Sequence, residues 1–188
     1  EIAGLFASIF AWGNRTTIIQ KSKELMQRMD NAPYTFIQQH QSSDLKRLIG
    51  FKHRTFNDTD LLYFIEFLKM HYATNASLET AFSKWMEPGD LTIEKGLNGF
   101  YDYFFSLEDV PQRTQKHIAS PNKKSACKRL NMYLRWMVRQ DKKGVDFGIW
   151  KKIQPSQLVC PIDVHVARVA KRFQLLDRPN ADWEAALQ

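Results

Sequence analysis

Asp163, in the run CPIDVHVARVAKRF, and two lysines upstream of it, Lys124 and Lys128, are the side chains of this 188-residue chain whose types could carry chemistry. Breaking an N-glycosidic bond builds positive charge on the sugar, and a nearby carboxylate that stays ionised stabilises that cation. The dipole at a helix N-terminus keeps a carboxylate ionised, and Asp163 stands where an N-cap would stand. A lysine whose surroundings deprotonate its amine can attack the sugar carbon and form a Schiff base. Lys124 and Lys128 precede Asp163 by 39 and 35 residues. This chemistry calls for no metal and no cofactor. The same three residues also have a plainer reading, Asp163 as a simple cap and the lysines as surface charge.

The elements that must hold these groups follow from periodicity. A helix is expected from about Ser125 to Arg139, after a turn at Ser120–Pro121–Asn122. At about 100° per residue its Leu130, Tyr133, Leu134 and Met137 point one way and Lys124, Lys128, Arg135 and Arg139 the other, with Trp136 on the flank beside Arg129. Lysines at a helix N-terminus oppose the dipole. An anion bound there, such as a DNA phosphate, would resolve the conflict; lysines extended into water are the alternative. A connector over 140–160 carries GVDFGIW and a Pro155 turn. The helix after Asp163 shows an apolar stripe of Val166, Val169, Ala170 and Phe173, with His165, Arg168 and Arg172 on another face. Upstream, helices are expected over 1–12, 15–29, 34–40, from a Ser43 cap through Ile49, from an Asp58 or Thr59 cap through Leu68, over 77–86 and over 91–105. Residues 51–60 read as a loop. No strand pattern of useful length and no repeat occurs, so the expected class is all-α.

Composition narrows the function classes. Hydrophobic residues make up 44% and charged residues 25% of the chain, an ordinary globular balance. Residues 123–152 hold ten Lys/Arg against two acids, a local +8 that leaves −1 for the rest of the chain's +7. Such a patch is the footprint of phosphate binding; a solvated basic face or an anionic protein partner would produce it too. The nucleic-acid candidates are Lys123, Lys124, Lys128, Arg129, Arg135, Arg139, His165 and Arg168. Cys127 and Cys160 are the two cysteines, and neither lies in a metal-binding or disulfide pattern. A cytoplasmic location is expected, nucleoid-associated if DNA is bound. No apolar run is long enough for a bilayer, and EIAGLFASIFAW reads as a core helix, not a signal peptide. Glu1 at the start and NADWEAALQ at the end lead us to expect a fragment of a longer chain. Nothing in the sequence indicates an oligomeric state.

Two motifs add a resemblance. PIDVHVARVAKR is similar to the VDTHxxRVxxR run of endonuclease III-type glycosylases and to the PVDVH run of oxoguanine glycosylases. KSACKRLNMYL is similar to the KTAxxxLNxA helix that begins with their catalytic lysine. The chain thus resembles the helix-hairpin-helix DNA glycosylase superfamily. That resemblance implies a catalytic Asp163, matches at His165 and Arg168, and a catalytic lysine at Lys124, with Ser125, Ala126, Leu130 and Asn131 also matching. It implies two helical subdomains, 15–120 and 1–14 plus 121–188, flanking a cleft. More narrowly, AWGNR, FKHRTF, SACKRLNMYLRWMVR, VDFGIW and PIDVHV resemble the conserved-hypothetical family DUF2400.

The chain departs from the superfamily pattern in two ways. The hairpin LPGVGxKTA is matched by HIASPNKKSA, which lacks glycine, and the lysine-to-aspartate interval is long, as in archaeal oxoguanine glycosylases. The function implied is base excision from double-stranded DNA, with Asp163 stabilising the sugar cation and Lys128 or Lys124 as nucleophile if a lyase step exists. Alternatives are a non-catalytic nucleic-acid-binding module of the same fold and a helical protein-interaction domain with a basic face. Trp12, Asn14 and Arg15 would lie near the DNA gap. His53 and Arg54 would line a base pocket or brace the loop. Trp136 and Trp150 would stack on a flipped base or pack.

Overall fold

A computed structural model describes residues 1–188. The chain is mostly helical, with nine α-helices, four short 3-10 turns and one two-stranded sheet. It divides into two compact units, residues 1–80 with 104–118 and residues 81–103 with 119–188.

The first unit is built on α1 (Ile2–Phe10), α2 (Arg15–Arg28), α3 (Pro33–Gln39) and α4 (Asp58–Tyr72). Apolar nearly all round, α1 buries Ile2, Leu5, Phe6, Ile9 and Phe10, as a helix without a polar face must. Its rings enter an aromatic core: Phe6 lies 5.7 Å from Phe64, and Phe10 lies 5.2 Å from Phe56 and 5.5 Å from Phe51. This packing is why residues 1–14 cluster with the N-terminal unit, whereas the sequence reading groups them with 121–188. Residues 51–60 are more ordered than a loop. A hairpin pairs β1 (Lys52–His53) with β2 (Phe56–Asn57), turning through Arg54 at φ 55°. Asn57, rather than Asp58 or Thr59, caps α4 in a reciprocal capping box with Asp60. Ser43 makes no side-chain cap, and the segment after it is a 3-10 turn, Asp44–Leu48.

The second unit contains α5 (Glu79–Ser83) in part, most of α6 (Glu94–Phe104), α7 (Lys128–Val138), α8 (Val164–Arg172) and α9 (Trp183–Leu187). Its centre is a ring cluster. Phe82 stacks on Phe100 at 4.0 Å, and Trp150 lies 5.6 Å from Phe82 and 5.3 Å, edge-on, from Tyr133. These contacts draw residues 81–103 into this unit. The apolar side of α7 is the expected one, with Leu130, Tyr133, Leu134 and Met137 all buried. Helix α8 is different. Of its residues only Ala167 is buried, while Val166, Val169 and Phe173 are exposed, so the apolar stripe is not the face that packs. No helix is long and apolar enough to cross a membrane.

Candidate functional site

The start of α7 decides which lysine meets the aspartate. The sequence places that start at Ser125; the helix begins at Lys128 instead. Before it, Pro121–Lys123 form a single 3-10 turn, and Lys124 and Cys127 both adopt left-handed backbone, at φ 59° and 50°. These are the angles a glycine would supply without strain; a residue with a Cβ loses about 1 kcal/mol or more at each. Local bonds hold the turn. Asn98 Oδ1 accepts from the Ser120 hydroxyl at 2.7 Å and the Asn122 N–H at 2.9 Å. Asn131 Nδ2, buried on α7, donates to the Ala126 carbonyl at 3.0 Å.

With α7 starting three residues late, Lys128 occupies its first position and Lys124 sits out in the turn, exposed. Lys128 Nζ donates to Asp163 Oδ2 at 2.8 Å. Asp163 caps α8 as expected, its Oδ1 accepting the N–H groups of His165 at 2.9 Å and Val166 at 2.8 Å. The Lys128 ammonium, and then these backbone donors, hold the Asp163 carboxyl down to about 2, so it is ionised across the physiological range. The pair remains reachable from solvent, with side-chain exposures of 39% for Lys128 and 27% for Asp163. An ionised carboxylate open to a ligand is the part that stabilising a sugar cation requires; the ammonium beside it is a proton donor, and becomes a nucleophile only after it has given up that proton.

The remaining cations are placed unevenly. Lys123 donates to the Tyr101 hydroxyl and lies 4.3 Å from the centre of that ring. Arg129 is half-buried, and burial lowers its guanidinium from the usual value. Arg135 and Arg139 place their Nε atoms 3.3 and 3.8 Å from Oδ2 of the buried Asp146. On α8, His165 and Arg168 are exposed, with Arg168 Nη2 3.4 Å from His165 Nδ1. The Cys127 thiol is buried, and burial pushes it up to about 12, which leaves it unreactive at neutral pH.

Two base-pocket candidates are corrected by burial. Trp150 is 2% exposed at the centre of the ring cluster, and His53 is 2% exposed with Nε2 donating to the Phe10 carbonyl at 3.1 Å. Neither can stack on or bond a base without dismantling its surroundings. Burial also lowers the His53 imidazole from its usual value. Asn14 caps α2, accepting from the Thr16 and Thr17 N–H groups, and Arg15 stands exposed on its first turn. Arg54 lies over the Trp12 ring at 4.4 Å. Gly13, at φ 104°, leaves room for it, because a Cβ there would come within 2.8 Å of Arg54 Nη1. Trp136, on the α7 flank, is half-buried.

Sequence reasoning missed a buried polar cluster in the first unit. Asp60, with no exposed side chain, accepts from Thr114 Oγ1 at 2.8 Å and from the Asn57 N–H at 2.9 Å, and lies 3.3 Å from both His117 Nε2 and Arg113 Nη2. The Asn57–x–x–Asp60 spacing was the available signal for the cap, but nothing local announced its partners at 113–117.

The comparisons supply a family and no activity. No curated protein and no solved structure matches the chain. A family model described as "Protein of unknown function (DUF2400)" matches residues 1–188, and the chain therefore belongs to that family.

Proposed function

We propose that this protein is a base-excision DNA glycosylase with the helix-hairpin-helix glycosylase fold, acting on double-stranded DNA through the Lys128–Asp163 pair. The observation that carries this reading is the 2.8 Å contact between an accessible lysine ammonium and an accessible, ionised helix-capping carboxylate, in two segments that resemble the superfamily's catalytic motifs. In the reaction, the glycosidic C–N bond breaks with its electron pair leaving on the base, and Asp163 stabilises the cation at C1′. Lys128 gives a proton to the departing base, and its neutral amine then adds to C1′. Opening of the sugar ring yields the Schiff base of a lyase step.

Borohydride trapping on a duplex with an abasic site tests the reading, with wild type, Lys124→Gln and Lys128→Gln side by side. The expected result is a covalent adduct lost only with Lys128→Gln. No adduct in any sample removes the amine nucleophile, and loss with Lys124→Gln alone assigns it to Lys124 and overturns the role of Lys128. A non-catalytic DNA-binding module is the second reading, favoured by the glycine-free turn at 120–127. It predicts duplex binding without base release.

A further inference from the structure

The long connector between α7 and α8 holds a feature the chemistry at Asp163 does not use. Residues 141–149 hang from the C-terminal end of α7. The Phe147 N–H donates to the Trp136 carbonyl at 2.7 Å and the Trp150 N–H to the Met137 carbonyl at 2.9 Å, filling acceptors that a last helical turn leaves open. A bridge joins Gln140 to Phe147. Asp141 closes the tip, its Oδ1 accepting the N–H groups of Lys143 at 2.8 Å and Val145 at 3.3 Å. Gly148, at φ 60°, permits the close crossing, since a Cβ there would fall 2.6 Å from Gln140 Cβ.

Along 145–150 the burial alternates as in a strand with one face covered, but its polarity is inverted. Asp146, Gly148 and Trp150 face in, while Val145, Phe147 and Ile149 are 49%, 54% and 52% exposed. Asp146 is buried beneath Arg135 and Arg139, and its Oδ1 has no hydrogen-bond partner. Around the apolar row, residues 135–152 carry six Lys/Arg against two acids, and both acids are taken up inside the loop.

A row of apolar side chains on a braced loop whose tip carries the exposed Lys142 and Lys143 fits a polyanion that also offers apolar faces. Duplex DNA is such a partner: phosphates take the cations, and apolar side chains wedge against or between base steps in the minor groove. A lipid surface fits less well, because three half-exposed side chains make a far smaller apolar face than a membrane-bound amphipathic helix presents. We propose that the 141–149 loop is a DNA-contacting finger, with Lys142 and Lys143 on phosphates and Phe147 bearing on a base step. The finger shares with the proposed function the partner, duplex DNA, but not the chemistry at Asp163.

Anisotropy titrations of the full chain with a labelled duplex, repeated across 50–200 mM salt, test it. Lys142→Gln with Lys143→Gln should lower the slope of log K against log[salt] by about 1.8, at roughly 0.9 per phosphate contact. Phe147→Ala should keep the slope, weaken binding about tenfold, and abolish the unstacking signal of a 2-aminopurine placed at the contacted step. Unchanged slope, affinity and signal in variants of a DNA-binding wild type overturn the finger while leaving the glycosylase reading intact. Loop variants that lose binding when no form of the protein traps an abasic site or releases a base support the finger and remove the glycosylase. A wild type that binds phosphatidylserine vesicles through this loop and ignores duplex overturns the finger in favour of a membrane.

Discussion

Replacing Asp60 by asparagine should destabilise the first unit at neutral pH and flatten its acid response. Burial alone would raise this carboxyl, but hydrogen bonds from His117, the Asn57 N–H and Thr114 outweigh it and hold it at about 2, below its ordinary 3.8. A carboxyl depressed in the folded state contributes stability that is present above its unfolded value and lost as pH falls through the folded one. The interval corresponds to about 2 kcal/mol, and about 1.5 kcal/mol of it is gone by pH 2.5. Asparagine keeps an acceptor for Thr114, but turns an NH2 toward the Asn57 N–H, His117 and Arg113. Breaking a buried charged cluster in this way costs about 3 kcal/mol. Urea unfolding of both proteins at pH 7 and pH 2.5 reads both numbers. The wild type should be about 3 kcal/mol more stable at pH 7, and the gap should narrow by about 1.5 kcal/mol in acid. A gap that is independent of pH would refute the assignment of this titration to Asp60.

Three further outcomes follow from the geometry. Lys128→Gln should raise the Asp163 carboxyl toward 3.8, though not fully, because the His165 and Val166 N–H groups remain; a carbon-13 NMR titration of the Asp163 carboxyl reads this, and no movement would break the ion pair as described. Lys124→Gly should stabilise the fold by about 1 kcal/mol by relieving a left-handed residue, whereas a loss would mean that the Lys124 side chain itself holds the turn. Trp150→Ala should cost about 3–5 kcal/mol as a core truncation, and Trp136→Ala distinctly less, both measured by chemical denaturation; equal costs would contradict the placement of Trp150 at the centre of the second unit.

What was legible in the sequence was what local chemistry determines. The apolar side of α7 and the Asp163 cap follow from residues within one or two turns of each other, and both are present. The identity of the paired lysine was not legible, because it depends on where α7 starts. Lys124 and Cys127, two residues without the usual licence for positive φ, move that start by three positions. Burial of His53 and Trp150 was hidden for a different reason: the rings that cover them, Phe10 for one and Phe82 for the other, are 43 and 68 residues away in sequence. The stripe on α8 shows the converse. Its periodicity is real, but a helix packs by whichever face meets its neighbours, here the side of Ala167. The alternating burial along 145–150 was not legible because its apolar residues, Val145, Phe147 and Ile149, face outward and its Asp146 faces in, the reverse of the polarity that alternation normally carries.

The most direct measurement of the central claim is single-turnover base release from a panel of damaged-base duplexes, wild type against Asp163→Asn, with duplex affinity measured in parallel. The account predicts that wild type releases a base from at least one duplex, and that Asp163→Asn slows release by at least a hundredfold while affinity stays within a few-fold. Release that survives Asp163→Asn unchanged, or a wild type that binds every duplex and releases nothing, would contradict it.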